Sequence, residues 1–431
     1  MSKSQAFSKN TKVRNFILIA LFSALFVCFV LQQPLYSPDT FSYLRADISR
    51  FPGYVLFLRG LQFIFSTGFD VVAVGIQLIF GFVAITIIFK KCSKVFNLGP
   101  WPQILLLGLL ILPYFYPLSI ANNLTSEGVS YPLYLLLMAF TFDFIFNDEK
   151  KKILHIAIVF LALALTRGQF IIVTPIIAFV FALKLKRQVF TKINIGLIAV
   201  LLLLPILSGV LDSTYRKVVH GYFIKTPYSY VNAITLPLYV SEKDNIALMP
   251  SEDTKKIFEL SYTRIDSLNL LSSKVDGSYK AKYKRFHYFF PKICNQNIHD
   301  QGKAYYYAKD PAPHMNSVLT EAACKTMFPI LLKANFKEWL AIYYTSIVHG
   351  FKSVFILFFI LTLAIISLWK AIKKFSLKNG FILFGCLLII SNAMVVAVAS
   401  HSIIRYLFYN YFIGLLIIVI LLKKIISKYE S

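Results

Sequence analysis

The sequence predicts an all-α polytopic membrane protein, a bundle of about 10 transmembrane helices (range ~9–12) with an external loop domain. Three observations predict it. The 431 residues are 57% hydrophobic and only 15% charged, with a mean hydropathy of +0.66. Their apolar residues gather in separate runs, most of them long enough to cross a bilayer, which no single soluble core needs so many times over. Basic residues cluster at the ends of those runs: Lys90, Lys91 and Lys94; Lys150, Lys151 and Lys152; Lys184, Lys186 and Arg187; Lys370, Lys373 and Lys374; Lys423 and Lys424.

Spans are expected at 15–33, 70–89, 103–120, 127–146, 153–166, 169–185, 193–210, 341–369, 380–400 and 404–422. The first follows Lys12 and Arg14 like a signal peptide, but no small-residue cleavage site follows, so it reads as an uncleaved helix. The fifth and sixth are short, and Arg167 and Gly168 leave only a tight turn between them. The stretch Leu56–Phe65 is shorter than a span and is expected in or beside the membrane interface. The 41 Phe and 25 Tyr suit a lipid-facing surface with aromatic belts.

With the N-terminus in the cytoplasm and a crossing at every span, all five basic clusters, Lys12 and Arg14 fall on the cytoplasmic side, and so does the C-terminus. The loops 34–69 and 211–340 fall outside, as do the turns near Glu127, Arg167 and His401. The expected organisation is a transmembrane module over 1–210 containing the first external loop, an extracytoplasmic loop domain over 211–340, and a second transmembrane module over 341–431. The formal net charge of +25 then marks membrane orientation and anionic lipid headgroups as partners, not nucleic acid. The cysteines form no zinc ligand set; Cys294 and Cys324 share the long polar segment and could pair there.

Topology singles out Asp39, Arg50, Glu127, Arg167, His401 and Arg405, each at an outer connection. Charged groups at membrane depth are costly and usually face a cavity, a partner or a substrate. Each has a plain alternative. Asp39, after Ser37 and Pro38, suits a helix cap, yet a carboxylate there could also take a proton from an acceptor hydroxyl. It could ligate a divalent ion, although one or two carboxylates do not define a metal site, and no cofactor is fixed. Arg50 could bind headgroups or pair with Asp39, and Asp47 stands one helical turn away. Arg167 and Arg405 offer bidentate contacts to phosphate, or simply snorkel to headgroups. His401 and Arg405, four apart, share one face if helical. Glu127 suits the first turn of a helix.

In order, these segments resemble the GT-C superfamily of membrane glycosyltransferases, which use polyprenyl-phosphate-linked sugars, and especially the bacterial relatives of protein mannosyltransferases and lipid A aminoarabinose transferases. Ser37-Pro38-Asp39-Thr40-Phe41-Ser42-Tyr43 is similar to that family's Pro-Asp-Ser/Thr-x-x-Tyr stretch, and Arg50-Phe51-Pro52-Gly53-Tyr54-Val55-Leu56 to its Arg-x-Pro-Gly-Tyr-Pro-Leu run. Asn123-Leu124-Thr125-Ser126-Glu127, Leu165-Thr166-Arg167 and Arg405-Tyr406-Leu407-Phe408 follow in order. Thr40 stands where a second acidic residue is common, and Val55 where proline is.

The resemblance implies an inverting transfer of a sugar from a polyprenyl-phosphate donor to a lipid, glycan or protein acceptor, on the outer face of a bacterial cytoplasmic membrane, in cell-envelope glycan or lipopolysaccharide biosynthesis. Asp39 would be the base, with Arg50 and Glu127 beside it in the catalytic set. Tyr43, Tyr54, Arg167, His401, Arg405 and Tyr406 would bind substrate, the arginines countering the donor phosphate. A divalent metal remains compatible with Asp39. The competing classes are a lipid-sugar transporter or flippase, an O-antigen-type polymerase or ligase, and a noncatalytic assembly protein.

Overall fold

A computed structural model of the chain describes residues 3–429, with side chains from 13 to 423. Lys12, Lys424 and the chain ends, which the sequence assigns to the cytoplasm, lie outside the described side chains. Among the described residues the architecture is all helical apart from one parallel bridge, Leu35 to Asn123. Eight helices are long and apolar enough to cross a membrane: Val13–Val30, Phe69–Val95, Glu127–Phe146, Gly168–Phe190, Lys192–His220, Val354–Lys373, Leu377–Ala399 and Ile404–Lys423. The protein is therefore a multi-span helical membrane protein.

Two expected spans are shorter than that. The segment expected at 103–120 is helical over Pro100–Ile111 and ends in a tighter turn at Leu112–Tyr114, because Pro113 and Pro117 supply no backbone N–H to extend it. The segment expected at 153–166 is the 12-residue helix Ile153–Ala164. At ~1.5 Å per residue it covers only about 18 Å, well short of a hydrocarbon core. A third expectation changes form. The run 341–369 is two helices, broken where Lys352 turns left-handed (φ 62°) and Ser353 caps the next helix by accepting from the Phe355 N–H at 3.2 Å.

The chain divides into two compact units. The first comprises 1–47, 51–208 and 409–431; the second comprises 48–50 and 209–408. The first holds α1 (Lys3–Val30), α2 (Pro38–Leu44), α3 (Pro52–Phe65), α4 (Phe69–Val95), α5 (Pro100–Ile111), α6 (Glu127–Phe146), α7 (Ile153–Ala164), α8 (Val173–Leu185) and most of α9 (Lys192–His220). Proline opens α2, α3 and α5 at the first turn, where its missing N–H costs nothing.

One close packing contact and the contacts of two lysines fix the direction of the long helices in this unit. The amide of Gln77, early in α4, stands against Gly128 at the start of α6, close enough that a Cβ there would lie 2.4 Å from it. At the far ends Lys91 pairs with Asp143, and Lys184 of α8 bonds the Ile145 carbonyl and pairs with Asp148 at 2.5 Å. So α4, α6 and α8 run the same way, and the short helices α5 and α7, with their flanking turns, return the chain between them. Lys150 also reaches Asn194 at 3.0 Å, and Lys423 donates to the Phe96 carbonyl at 3.0 Å. Four of the five basic clusters thus gather at one end of this unit, as the positive-inside pattern requires.

The second unit holds α10 (Ser229–Tyr239), α11 (Glu252–Ser267), α12 (Tyr279–Ile293), α13 (Asp300–Lys309), α14 (Met315–Ala334), α15 (Phe336–Phe351), α16 (Val354–Lys373), α17 (Leu377–Ala399) and the single-turn α18 (Ile404–Leu407). The last long helix, α19 (Tyr411–Tyr429), belongs to the first unit. In the second unit α10 to α15 enclose their own core around Ile257, Phe258, Phe286, Met327 and Leu331. Cys294 and Cys324 are both buried in that core as free thiols, so the pairing expected from sequence is not made. The Cys294 Sγ instead donates to Asn232 Oδ1 at 3.5 Å.

Candidate functional site

In the first unit the loop after α1 is tied down by backbone. The Leu35 N–H donates to the Asn122 carbonyl at 2.8 Å, and the Leu124 N–H returns to the Leu35 carbonyl at 3.1 Å. Ser37 then caps α2: its hydroxyl accepts from the Thr40 N–H at 3.4 Å, while Thr40 Oγ1 accepts from the Ser37 N–H at 3.0 Å. Thr40 Oγ1 also donates to the Leu124 carbonyl at 2.9 Å and is fully buried. Thr40 is thus the pin of the helix. Asp39, in the first turn of α2, is half-buried.

From α2 a continuous line of contacts runs inward. Tyr43 packs edge-on against Tyr54 with ring centres 4.8 Å apart, and the Tyr54 hydroxyl donates to Gln77 Oε1 at 2.9 Å. Gln77 abuts Gly128, the residue after Glu127. Glu127, 2% exposed, makes an ion pair with Arg167, 10% exposed, whose guanidinium also lies 3.4 Å from Ser126 Oγ and 6.0 Å from the centre of the Tyr409 ring. The Tyr409 hydroxyl shares a 2.7 Å hydrogen bond with Ser130. Sequence gave Glu127 and Arg167 separate roles. The structure makes them one buried pair.

The start of α3 is placed by close approach to this pair's turn. The Gly53 N–H donates to the Leu165 carbonyl at 2.7 Å, and a Cβ on Gly53 would stand 2.4 Å from Thr166 Oγ1 and 2.9 Å from the Leu165 oxygen. Only glycine fits. Beside the end of α1 a cavity of about 440 Å³ opens, lined by Phe29, Gln32, Gln33, Tyr114, Phe115 and Asn122 among others; none of the residues predicted from sequence lines it.

The second unit holds the remaining predicted residues. The Arg50 carbonyl accepts from Arg216 at 2.6 Å. Arg216 is fully buried, pairs with Asp212 at 3.3 Å, and contacts Thr226, whose N–H and hydroxyl both reach the Asp212 carboxylate at 2.7 and 3.0 Å. Sequence reading missed this group. Its signal was an Asp and an Arg four apart where the apolar run of α9 ends, the spacing that puts both on one helical face.

His401 and Arg405 do not share a helical face. Residues 400–403 are non-helical, with Ile403 extended before α18 begins at Ile404. Arg405 and Tyr406 occupy α18 and are half-buried, and Asn392 fixes the Tyr406 carbonyl at 2.9 Å. His401 lies flat on Phe290, ring centres 4.5 Å apart and planes 5° from parallel. His287 stands 4.7 Å from it and 4.8 Å from His349. The Tyr283 hydroxyl, at the centre, accepts from the Ser402 N–H at 3.0 Å and from Ser346 at 3.1 Å. Burial first, then the neighbouring imidazoles, drive His401 down to about 4. It is neutral at pH 7. His287, His349 and Tyr283 were also missed, since nothing in a linear sequence joins positions on α12, α15 and the last connection.

Among the described residues no group of three or more His, Cys, Asp or Glu side chains is arranged to hold a metal ion. No protein-family model, curated protein or solved structure matches the chain.

Proposed function

We propose that this chain is an inverting glycosyltransferase of the GT-C type, moving a sugar from a polyprenyl-phosphate donor to an acceptor on the outer face of a bacterial cytoplasmic membrane. The observation that carries the reading is Asp39: a half-buried carboxylate in the first turn of a helix pinned to the bundle through Thr40 and Leu124. That mounting suits a base that must meet an acceptor hydroxyl in a fixed direction. The leaving group is a phosphate ester that needs charge stabilisation rather than a proton. Arg167 and Arg405, the arginines of the substrate-binding set, counter that charge in this reading. Arg167 does so from within its ion pair with Glu127, and neutral His401 offers a hydrogen bond rather than a charge. Glu127 then acts by orienting Arg167, while Tyr43 and Tyr54 belong to the substrate-binding set.

A lipid-sugar transporter is the second reading, and the buried Glu127–Arg167 pair favours it, because buried ion pairs in membrane bundles often line transport or proton paths. One experiment separates the two. Proteoliposomes carrying a radiolabelled polyprenyl-phosphate sugar are given extracts of candidate acceptors. Transfer is expected, and Asp39→Asn is expected to cut it by about 10²–10⁴-fold with donor binding unchanged. Near-normal turnover of Asp39→Asn would remove the base assignment. Donor translocation with no labelled product in any extract would favour the transporter.

A further inference from the structure

We infer that His287, His349 and His401 form an acid-sensitive latch that holds residues 400–403 against α12 and α15 at neutral pH and releases them on protonation. The three imidazoles come from three separate segments of the second unit and touch in series, His349 to His287 to His401. They surround a buried hydroxyl knot in which Ser346 and Ser402 are 3.1 Å apart and both bond Tyr283. Ser402, the residue after His401, is the point of the 400–403 connection that this knot retains.

The cluster carries no internal counter-charge. Among the described residues, the charged groups acting on these imidazoles are Lys352, which acts on His287 and His349, and Lys280, which acts on His349. Tyr283 is the other titratable neighbour. The helices α10 and α17, packed on α12 and α15, bring no charged side chain between Ser229 and Tyr239 or between Phe381 and Ala399. The carboxylate between α12 and α15, Glu338, is held by Tyr279 and Lys282 in the first turn of α15, at the opposite end from His349. Protonation therefore places positive charges in contact with one another, beside lysines, and among the described residues no carboxylate acts on them.

The sign follows from the same facts. Burial, with the neighbouring cations and imidazoles, lowers His349 and His401 to about 4 and lowers His287 as well. Released, each returns toward about 6.5. The closed form is favoured in full while all three are neutral, and it weakens as pH falls below about 6.5 and until the closed-state values near 4 are reached. Each proton taken up raises the opening constant about tenfold per pH unit in that window, so two give about a hundredfold.

Hydrogen–deuterium exchange on the full chain in lipid nanodiscs, corrected for the intrinsic pH dependence of exchange, tests this. Peptides covering 279–293, 336–352 and 400–403 are expected to gain opening together between about pH 7 and about pH 5. His287→Gln, His349→Gln and His401→Gln combined should abolish that response. His349→Gln alone should reduce its slope by about tenfold per pH unit, which keeps the test open if the triple variant does not fold. A flat response in the unaltered protein, or an unchanged slope in the single variant, would overturn the latch.

Discussion

At the scale of single residues, the Glu127–Arg167 pair is where structure adds most to sequence. Each residue was recognisable as a charged group at a helix end, but their partnership was not, because it depends on α6 and α8 running parallel. Its energetics are those of a buried pair: removing one partner strands the other, at a cost of ~3–5 kcal/mol. Glu127→Gln and Arg167→Gln should each lower stability by about that amount, whereas the double variant should lose much less than the sum. Thermal unfolding of the four proteins in detergent checks this; additive losses would mean the two side chains do not act as a unit. The Asp212–Arg216 pair was legible in principle, since its four-residue spacing is written in the sequence. His287 and His349 were not, for no local pattern joins residues that meet only through tertiary packing.

Among the elements, helices with strong uniform hydropathy were read correctly in position. The breaks were harder. Lys352 and Ser353 interrupt a long apolar run whose average hydropathy hides them, and Pro113 shortens α5 in a segment that still reads as apolar. The loop-to-helix motifs carry tighter constraints than their composition suggests. At Gly53 the backbone of α3 lies against Leu165 and Thr166, so Gly53→Ala should cost ~1–3 kcal/mol by overpacking and displace Phe51–Tyr54 from the turn that carries Arg167. A lowered melting temperature is the expected result. An unchanged melting temperature would show that the contact yields without strain.

For the whole molecule, the multi-span helical character was legible because it rests on many long apolar runs rather than on any one contact. Within the first unit the two short helices return the chain between the long ones. Since Lys91 meets Asp143 and Lys184 meets Asp148, the ends of α4, α6 and α8 share one side, which α5 and α7 make possible. Reporter fusions should accordingly place residues near 90, 150, 188 and 373 in the cytoplasm and residues near 45 and 270 outside. A reporter near 150 found outside would mean that α5 does not cross.

The pairing of Glu127 with Arg167 also sets an order of assembly. During synthesis the carboxylate at the head of α6 enters the membrane before the guanidinium that neutralises it has been made. Until α7 has turned the chain back and α8 has followed, that carboxylate must stay hydrated or near the lipid surface. Insertion of α6 to its final depth is thereby coupled to the arrival of its partner, and the bundle cannot mature one helix at a time.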